Sequence, residues 1–370
     1  MKFIIIKSHL KDALSLLQKS WSENTNLPIL KNVLIDASDG KIQLTATNLE
    51  IATRVTVPGK ILQDGSVTIP LGLFSSVISS LQTERLNIEQ KKDGVYIKTD
   101  NYEATIQGIP FSEFPIIPKI KNEEEYIEIK GAILKEAVGQ VVVATQPSDI
   151  RPELSSIFLD FSLESIKLAA TDSFRLAEKT ISSNQYTATF TDGFLSLIPI
   201  KTAHELLRII KDTSLVRIFH DPHQVLFLTE DTYFISRLLE GTFPDYSSVV
   251  PKKFSAEMVA KKDEFLDALR LTGMFGSKAG EIRLKIVPGK KVAEVFSGDQ
   301  VLGENTYLLP AEIKGKSVDV GFNWHYVGEG IKAVQSPDVY FAMNAEENKA
   351  FIQGKGDGSY FYIVASLMKS

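Results

Sequence analysis

The chain has 370 residues, of which 44% are hydrophobic and 24% charged, and its net charge at pH 7 is −5. This length is too great for one ordinary hydrophobic core and indicates a soluble protein of two or three domains. The negative net charge excludes a protein that coats nucleic acid with its whole surface, but a local basic lining remains compatible with it. The chain has no cysteine, which excludes disulfides, thiolate metal sites and cysteine nucleophiles. With no apolar run of membrane-spanning length and no signal peptide, we expect a cytoplasmic protein.

One helical pattern recurs three times along the chain. Residues 10–14, 134–138 and 265–269 share an apolar spacing around a central alanine, at positions 13, 137 and 268. Each copy begins a unit in which an extended segment leads into a second amphipathic helix. The pattern therefore predicts six helices, at residues 9–20, 71–82, 132–145, 201–212, 261–272 and 323–335.

Two predicted β-hairpins share a sequence. Ala46-Thr47-Asn48 matches Ala170-Thr171-Asp172, and the following alanines predict a one-residue insertion in the second copy. The alternating residues before each turn are typical of half-buried strands, and the short polar side chains favour a tight turn. One interpretation is a plain hairpin whose Phe174 and Leu176 face a core; the other is a functional hairpin. Further strands close each unit, the last at residues 360–365.

Residue types with catalytic or metal-binding chemistry do not converge in the sequence. His220 and His223 lie beside an expected hairpin turn, and Pro310 stands where Gly315-Lys316-Ser317 would need its first glycine to form a phosphate loop. We therefore predict no catalytic residue, no metal and no cofactor. An enzyme whose site assembles across domains remains an alternative.

The string Thr171-Asp172-x-x-Arg175-Leu176-Ala177 resembles the signature of the bacterial DNA sliding clamp, the β subunit of DNA polymerase III. The resemblance covers all three thirds of the chain and includes Leu-Pro-Ile-Leu at 27–30, Arg-Pro-Glu-Leu at 151–154 and Phe-Pro-Asp-Tyr at 243–246. It is weakest between Gly276 and Thr306. It implies an α+β protein of three repeated clamp domains, each with two helices and antiparallel sheets. The domains would span residues 1–122, 123–250 and 251–370.

The resemblance also implies a function. Two chains would form a head-to-tail homodimeric ring around double-stranded DNA, without sequence specificity, with helices lining the hole. This non-catalytic processivity factor would tether the DNA polymerase III catalytic subunit, the clamp loader and other replication or repair proteins, and it would not bind a membrane. The six predicted helices carry +2 in total against −5 for the chain, which has the sign that phosphate contacts need. The alternative is a non-catalytic three-domain scaffold without nucleic-acid binding.

By family position, three sets of residues are expected to act. A hydrophobic cleft for short client peptides would be lined by Leu154, Thr171, Phe174, Arg175, Leu176, Pro244, Val249, Ile363 and Leu367. The basic candidates for contacts with DNA are Lys7, Lys11, Lys19, Arg151, Lys201, Arg208, Lys211 and Arg270. The dimer contact would join Ala104 and Ile106, on an edge strand, to Met274 and Phe275 of the other chain.

Overall fold

A computed structural model describes residues 1–18, 20–21, 26–148, 150–276, 280–344 and 348–367. The elements in these residues form three successive runs with one order: a strand, a helix, five strands, a second helix and three strands. The threefold internal repeat is thus confirmed.

The bounds of the helices and strands follow in chain order. The first run contains β1 (Lys2–Ile6), α1 (Lys7–Leu17), β2 (Asn32–Ser38), β3 (Lys41–Thr47), β4 (Ile51–Val57), β5 (Gly59–Gln63), β6 (Gly65–Pro70), α2 (Leu71–Ser80), β7 (Arg85–Lys91), β8 (Gly94–Lys98) and β9 (Glu103–Ile106). The second contains β10 (Ile127–Lys130), α3 (Gly131–Val142), β11 (Ser156–Phe161), β12 (Ser165–Thr171), β13 (Arg175–Ser182), β14 (Tyr186–Ala188), β15 (Phe194–Pro199), α4 (Ile200–Ile209), β16 (Leu215–Asp221), β17 (Gln224–Leu228) and β18 (Thr232–Arg237). The third contains β19 (Ala256–Lys261), α5 (Lys262–Gly273), β20 (Glu281–Ile286), β21 (Val292–Asp299), β22 (Gly303–Pro310), β23 (Glu312–Gly315), β24 (Val318–Asn323), α6 (Trp324–Ala333), β25 (Asp338–Asn344), β26 (Lys349–Gly354) and β27 (Tyr360–Ala365).

The six predicted helices are confirmed, and their ends lie within a few residues of the expected positions. In α1 the buried residues are Leu10, Ala13, Leu14 and Leu17, the spacing of a helix with one apolar face. That face packs into the core of the first run, which also contains Phe74 of α2 and the inward side chains of the strands. Burial of this face, rather than helix propensity, holds such short helices in place.

The strands form four antiparallel sheets. The two large sheets have the orders β14-β10-β16-β17-β18-β4-β3-β2-β6 and β15-β11-β12-β13-β27-β26-β25-β19-β23. Each joins a set of five strands from one run to a set of four from another. The two small sheets, β5-β1-β7-β8-β9 and β22-β21-β20-β24, are the remaining set of five and the remaining set of four.

By internal contacts the chain forms two compact units. The first comprises residues 1–135, 184–191 and 201–238, and the second comprises 136–183, 192–200 and 239–370. Every sheet lies within one unit. The units therefore do not coincide with the runs, because each nine-stranded sheet contains strands of two runs.

The turn shared by the two hairpins is the same length in both copies. Thr47 pairs with Ala52 and Thr171 pairs with Leu176, so the expected one-residue insertion is wrong. Ala52 is therefore equivalent to Leu176, not to Ala177. The matching alanines were misleading because Ala52 is the second residue of its strand, β4, whereas Ala177 is the third residue of β13.

A third copy of the turn lies in the segment whose sequence diverges most. The Asp299 carboxylate accepts the amide hydrogens of Val301, at 2.8 Å, and Leu302, at 3.2 Å, as Asp172 and Asn48 do in their turns. This third turn is one residue longer, because Gly298 pairs with Glu304. The extra residue and the lack of the preceding threonine hid the copy from the sequence comparison.

Candidate client cleft and candidate interface residues

The hairpin between β12 and β13 is stabilised by its own side chains. The Thr171 hydroxyl donates to the Arg175 carbonyl at 2.6 Å and accepts the Ser173 amide hydrogen at 3.2 Å. Asp172 Oδ1 accepts the amide hydrogens of Phe174, at 2.9 Å, and Arg175, at 3.0 Å. Ser173 has a φ of 77°, a left-handed conformation that an L-residue adopts only where its surroundings enforce it.

This conformation leaves Phe174 in the turn, with 60% of its surface exposed. The plain-hairpin interpretation is wrong for this side chain, whereas Leu176 is 3% exposed and faces the core as expected. The phenyl ring of Phe174 is therefore accessible at the surface, next to the buried Leu176.

Arg175 is the centre of an ion triad with Asp172 and Glu329. Its Nε donates to Asp172 Oδ2 at 2.8 Å, and its Nη1 donates to Glu329 Oε2. The guanidinium carbon lies 4.3 Å from the ring centre of Tyr326, within range of a cation–π interaction. Burial alone would lower the pKa of Arg175, but Tyr362 and the two carboxylates outweigh burial and raise that pKa. Arg175 therefore stays charged.

The end of β27 borders the same hairpin. Arg175 pairs with Val364 and Leu176 with Ile363 across the β13–β27 ladder. Beyond the strand, the Ala365 amide donates to the Phe174 carbonyl at 2.8 Å. The chain then turns away, because the Leu367 amide donates to the Gly321 carbonyl.

Two loops lie against this hairpin. Arg151 Nη1 donates to the Ser173 hydroxyl at 3.3 Å, which connects the loop of Leu154 to the turn. The Tyr246 hydroxyl donates to Glu178 on β13 at 2.6 Å, which ties the segment of Pro244 and Val249 to the strand. Burial and the hydrogen bond to Glu178 raise the pKa of Tyr246 far above its ordinary value, so the hydroxyl remains a donor.

Most residues expected in the cleft are thus linked to one hairpin within the second compact unit. Leu154, Leu176 and Ile363 are buried, and Phe174 is exposed. The half-buried members are Thr171, Arg175, Pro244, Val249 and Leu367. Leu367 is the exception to the hairpin linkage, since its backbone bonds to β24.

Sequence reasoning missed Tyr326 and Glu329. Both lie on α6, three positions apart, so they share a helix face. That spacing was a possible signal, but only the tertiary fold brings the face to Arg175.

Seven of the eight candidates for contacts with DNA lie in the described residues, and Lys19 lies outside them. Lys7 is largely engaged within the protein, because its Nζ donates to the Leu81 carbonyl at 2.9 Å and its side chain is 17% exposed. Lys11 and Lys201 are exposed on α1 and α4 and make no ion pair within the described part of the chain.

The other four candidates are exposed cations with acidic neighbours at 3.0–3.3 Å. The pairs are Arg151 with Glu153, Arg208 with Glu205, Lys211 with Asp231, and Arg270 with Asp267. Exposed pairs of this kind contribute little and exchange partners readily. They are compatible with loose phosphate contacts.

The dimer candidates lie at two sheet edges. β9, with Ala104 and Ile106, is the last strand of the five-stranded sheet; Ile106 is 3% exposed and already belongs to the core of its run. Met274, 63% exposed, and the half-buried Phe275 follow α5. That helix is hydrogen-bonded to β22, an edge strand of the four-stranded sheet, since Asn305 Nδ2 donates to the Leu271 carbonyl at 3.2 Å.

Across the described residues, no group of three or more His, Asp or Glu side chains is placed to hold a metal ion. His220 and His223 lie beside a hairpin turn, as expected, because Asp221 pairs with Gln224. None of the described helices combines the length and apolar character needed to cross a bilayer.

Three repeated runs, with five-strand and four-strand sets joined into continuous antiparallel sheets and two helices per run, define the DNA-clamp class of fold. Models of the DNA polymerase III β subunit match almost the whole chain: the N-terminal domain at residues 1–118, the central domain at 128–245 and the C-terminal domain at 247–367. The chain belongs to the family of the DNA polymerase III β subunit.

Relatives with established names agree with this membership. The chain is 25% identical to the beta sliding clamp of Synechococcus elongatus and 26% identical to that of Staphylococcus aureus, in each case over 98% of both chains. The sliding clamp of Bacillus subtilis superposes with a TM-score of 0.94 at 25% identity, covering both chains completely. The β subunit of Streptococcus pyogenes shares the fold, with a TM-score of 0.94 at 22% identity. These names support a processivity clamp.

Proposed function

We propose that the protein acts as a head-to-tail homodimeric ring that encircles double-stranded DNA and tethers polymerases to it. Its clients would be the DNA polymerase III catalytic subunit, the clamp loader and other replication or repair proteins, bound through the cleft at Phe174 and Leu176. The protein would be a non-catalytic accessory subunit in the cytoplasm, built of domains at residues 1–122, 123–250 and 251–370.

The organisation of the sheets carries this proposal. Within the chain, a set of five strands joins a set of four twice, through β18 with β4 and through β27 with β13. The third set of five ends at β9 and the third set of four ends at β22, and both edges are open. In the repeat, β9 is equivalent to β18 and β27, and β22 is equivalent to β4 and β13. Open strand edges are templates for pairing, so β9 of one copy fits β22 of a second.

The two joints within the chain also give the register of the proposed joint. In the first, Phe234 pairs with Thr53; in the second, Tyr362 pairs with Ala177. When the three runs are aligned at the first residue of each helix, the strand pairings carry this alignment across each sheet to its edge strand. Ala104 is then the equivalent of Phe234, and Asn305 is the equivalent of Thr53. We therefore expect Ala104 opposite Asn305, and Ile106 opposite Gly303. Two copies would form two such nine-stranded sheets and close a ring.

The dimer can be tested by adding charge beside β22. Met274→Glu with Phe275→Glu should yield a folded monomer, because burying two carboxylates at an apolar joint is unfavourable. Sedimentation would measure the mass, and circular dichroism would check the fold. Leu163→Glu with Leu195→Glu, at residues that are 60% and 64% exposed, adds the same charge away from the proposed joint and should remain dimeric. A dimeric double variant would show that these residues are not at the joint.

The proposed function itself is tested by topology. A ring would hold DNA without reading bases, since phosphate contacts carry no sequence information. Protein placed on nicked circular duplex by a clamp loader should remain bound through gel filtration and dissociate once the circle is cut. Equal retention on linear and circular DNA would contradict a topological tether, and no retention on either would favour the scaffold alternative.

A further inference from the structure

The ion triad carries a residual negative charge at the client cleft. Asp172 and Glu329 are two carboxylates around the single guanidinium of Arg175. The side chains of Asp172 and Arg175 are 3% and 9% exposed, whereas that of Glu329 is 43% exposed. The uncompensated charge is therefore presented to solvent by Glu329.

Among the described residues, Arg175 is the cation that forms an ion pair with Glu329, whereas Lys332, exposed three positions later on α6, forms none with it. Arg151 is paired with Glu153 at 3.2 Å. Lys349 donates to the carbonyl of Val249, another cleft residue, at 3.4 Å, and forms no ion pair with Glu329 in the described part of the chain. Glu178, on the same strand as Arg175, is bonded to a neutral tyrosine hydroxyl rather than to a cation.

The triad is particular to this copy of the hairpin. The position of Arg175 is occupied by Ile51 in the first copy and Gly303 in the third, following the strand registers. The turn itself does not require the charge, because Asn48 binds the same two backbone amides as Asp172 with a neutral side chain. The turn therefore does not explain why Asp172 is charged, and the charge of the triad is available for recognition.

We propose that Glu329 determines specificity in the cleft by selecting client peptides with a lysine or arginine beside their apolar anchors. The inference rests on the proposed peptide-binding function of the cleft. The apolar anchors would supply most of the affinity, and the client cation would lie against the exposed Glu329 carboxylate. Charge complementarity of this kind discriminates between partners more than it strengthens binding.

The test uses synthetic peptides and the full-length protein. Acetylated hexapeptides with two fixed anchors, leucine and phenylalanine, would carry lysine, glutamine or glutamate at each remaining position in turn, and fluorescence polarisation would measure Kd. At one position, lysine should bind about three- to tenfold more tightly than glutamate, the range expected for a partly exposed ion pair and its repulsive counterpart. Because the charges are partly exposed, 0.5 M salt should compress this ratio.

Charge reversal supplies the decisive comparison. Glu329→Lys should reverse the ranking of lysine and glutamate peptides, and Glu329→Gln should abolish it, with the glutamine peptide little changed in both. Asp267→Lys, at an exposed carboxylate of α5, makes the same change in net charge and should preserve the wild-type ranking. The thermal midpoints check that each variant is folded.

The possible failures are distinct. If the peptides bind but Glu329→Lys and Glu329→Gln keep the wild-type ranking, Glu329 does not determine specificity, while the peptide cleft stands. If no peptide binds the wild-type protein, or if the bound peptides do not compete with one another for one site, the cleft assignment fails and this inference fails with it.

Discussion

The Asp172 carboxylate accepts three hydrogen bonds, two from the backbone of its own turn and one from Arg175 Nε. Losing these bonds would leave the partly buried amide and guanidinium of Arg175 without this acceptor, which costs more than the bonds themselves contribute, whereas the exposed Phe174 amide can bond water. In the first copy of the turn, Asn48 accepts the two backbone hydrogen bonds without an arginine beside it, so these bonds do not depend on the ion pair.

We therefore predict a graded response to substitution. Asp172→Ala should lower the free energy of unfolding by about 2–3 kcal/mol and Asp172→Asn by about half as much, since asparagine keeps the two backbone bonds. Of the two tryptophans, Trp324 lies in the same compact unit as Asp172 and Trp21 in the other. Urea unfolding followed by fluorescence in a Trp21→Phe background thus reports the relevant unit. Equal losses in both variants would assign the effect to the charge rather than to the turn.

At the scale of elements, close contact between α6 and β27 fixes where Glu329 and Tyr326 lie. A Cβ added at Gly330 would come within 2.4 Å of the Tyr362 ring, which is fully buried. The helix can approach the strand this closely only because the residue has no side chain. At Gly328, on the same helix, an added Cβ would meet only Leu269, at an ordinary 3.9 Å.

The two glycines are a matched pair for a stability experiment. Gly328→Ala should raise the free energy of unfolding by about 0.5–1 kcal/mol, the gain in helix propensity. Gly330→Ala should lower it by about 1–3 kcal/mol, because overpacking outweighs that gain, and should reduce the preference for lysine over glutamate peptides by displacing Glu329. The Trp324 fluorescence assay measures both. A stabilised Gly330→Ala protein would mean that α6 moves off β27 without cost.

Local patterns in the sequence predicted the helices and hairpins well, but they did not predict which strands pair when the strands are far apart in the chain. Apolar periodicity located all six helices, and turn residues located the Asp172 hairpin and the β16–β17 hairpin, because these signals lie within a few neighbouring residues. The pairing of β4 with β18 joins residues about 180 positions apart, and no local pattern encodes it. Leu176 and Ile363, on strands far apart in the sequence, were expected together in the cleft only through the resemblance to the family, and Glu329, on a separate helix, was not expected there at all.

For the whole molecule, the distribution of charge decides how a negative protein could hold DNA. Buried residues on α1 and α4 recur at helical spacing, which leaves the opposite face of each helix to solvent. Lys11 and Lys201 lie on those exposed faces and have no acidic partner in the described residues, whereas Arg208 and Arg270 each have one three residues away. A phosphate would have to compete with that carboxylate for either arginine. The two lysines should therefore contribute more to DNA binding than the two arginines.

The last prediction follows from this difference. Lys11→Glu with Lys201→Glu should destabilise loaded dimers on circular DNA, and the slope of log retention against log salt should fall by about 1 for each lysine that contacts a phosphate. Arg208→Glu with Arg270→Glu should have a smaller effect, although the change in net charge is equal. Lys167→Glu with Lys60→Glu, at exposed positions of β12 and β5, makes the same change in net charge and should keep the wild-type slope. All variants should remain dimeric by sedimentation, because none of these residues lies at the proposed β9–β22 joint. If the arginine pair matters more, phosphates displace the local carboxylates readily, and ion pairing within the chain does not determine which cations contact DNA.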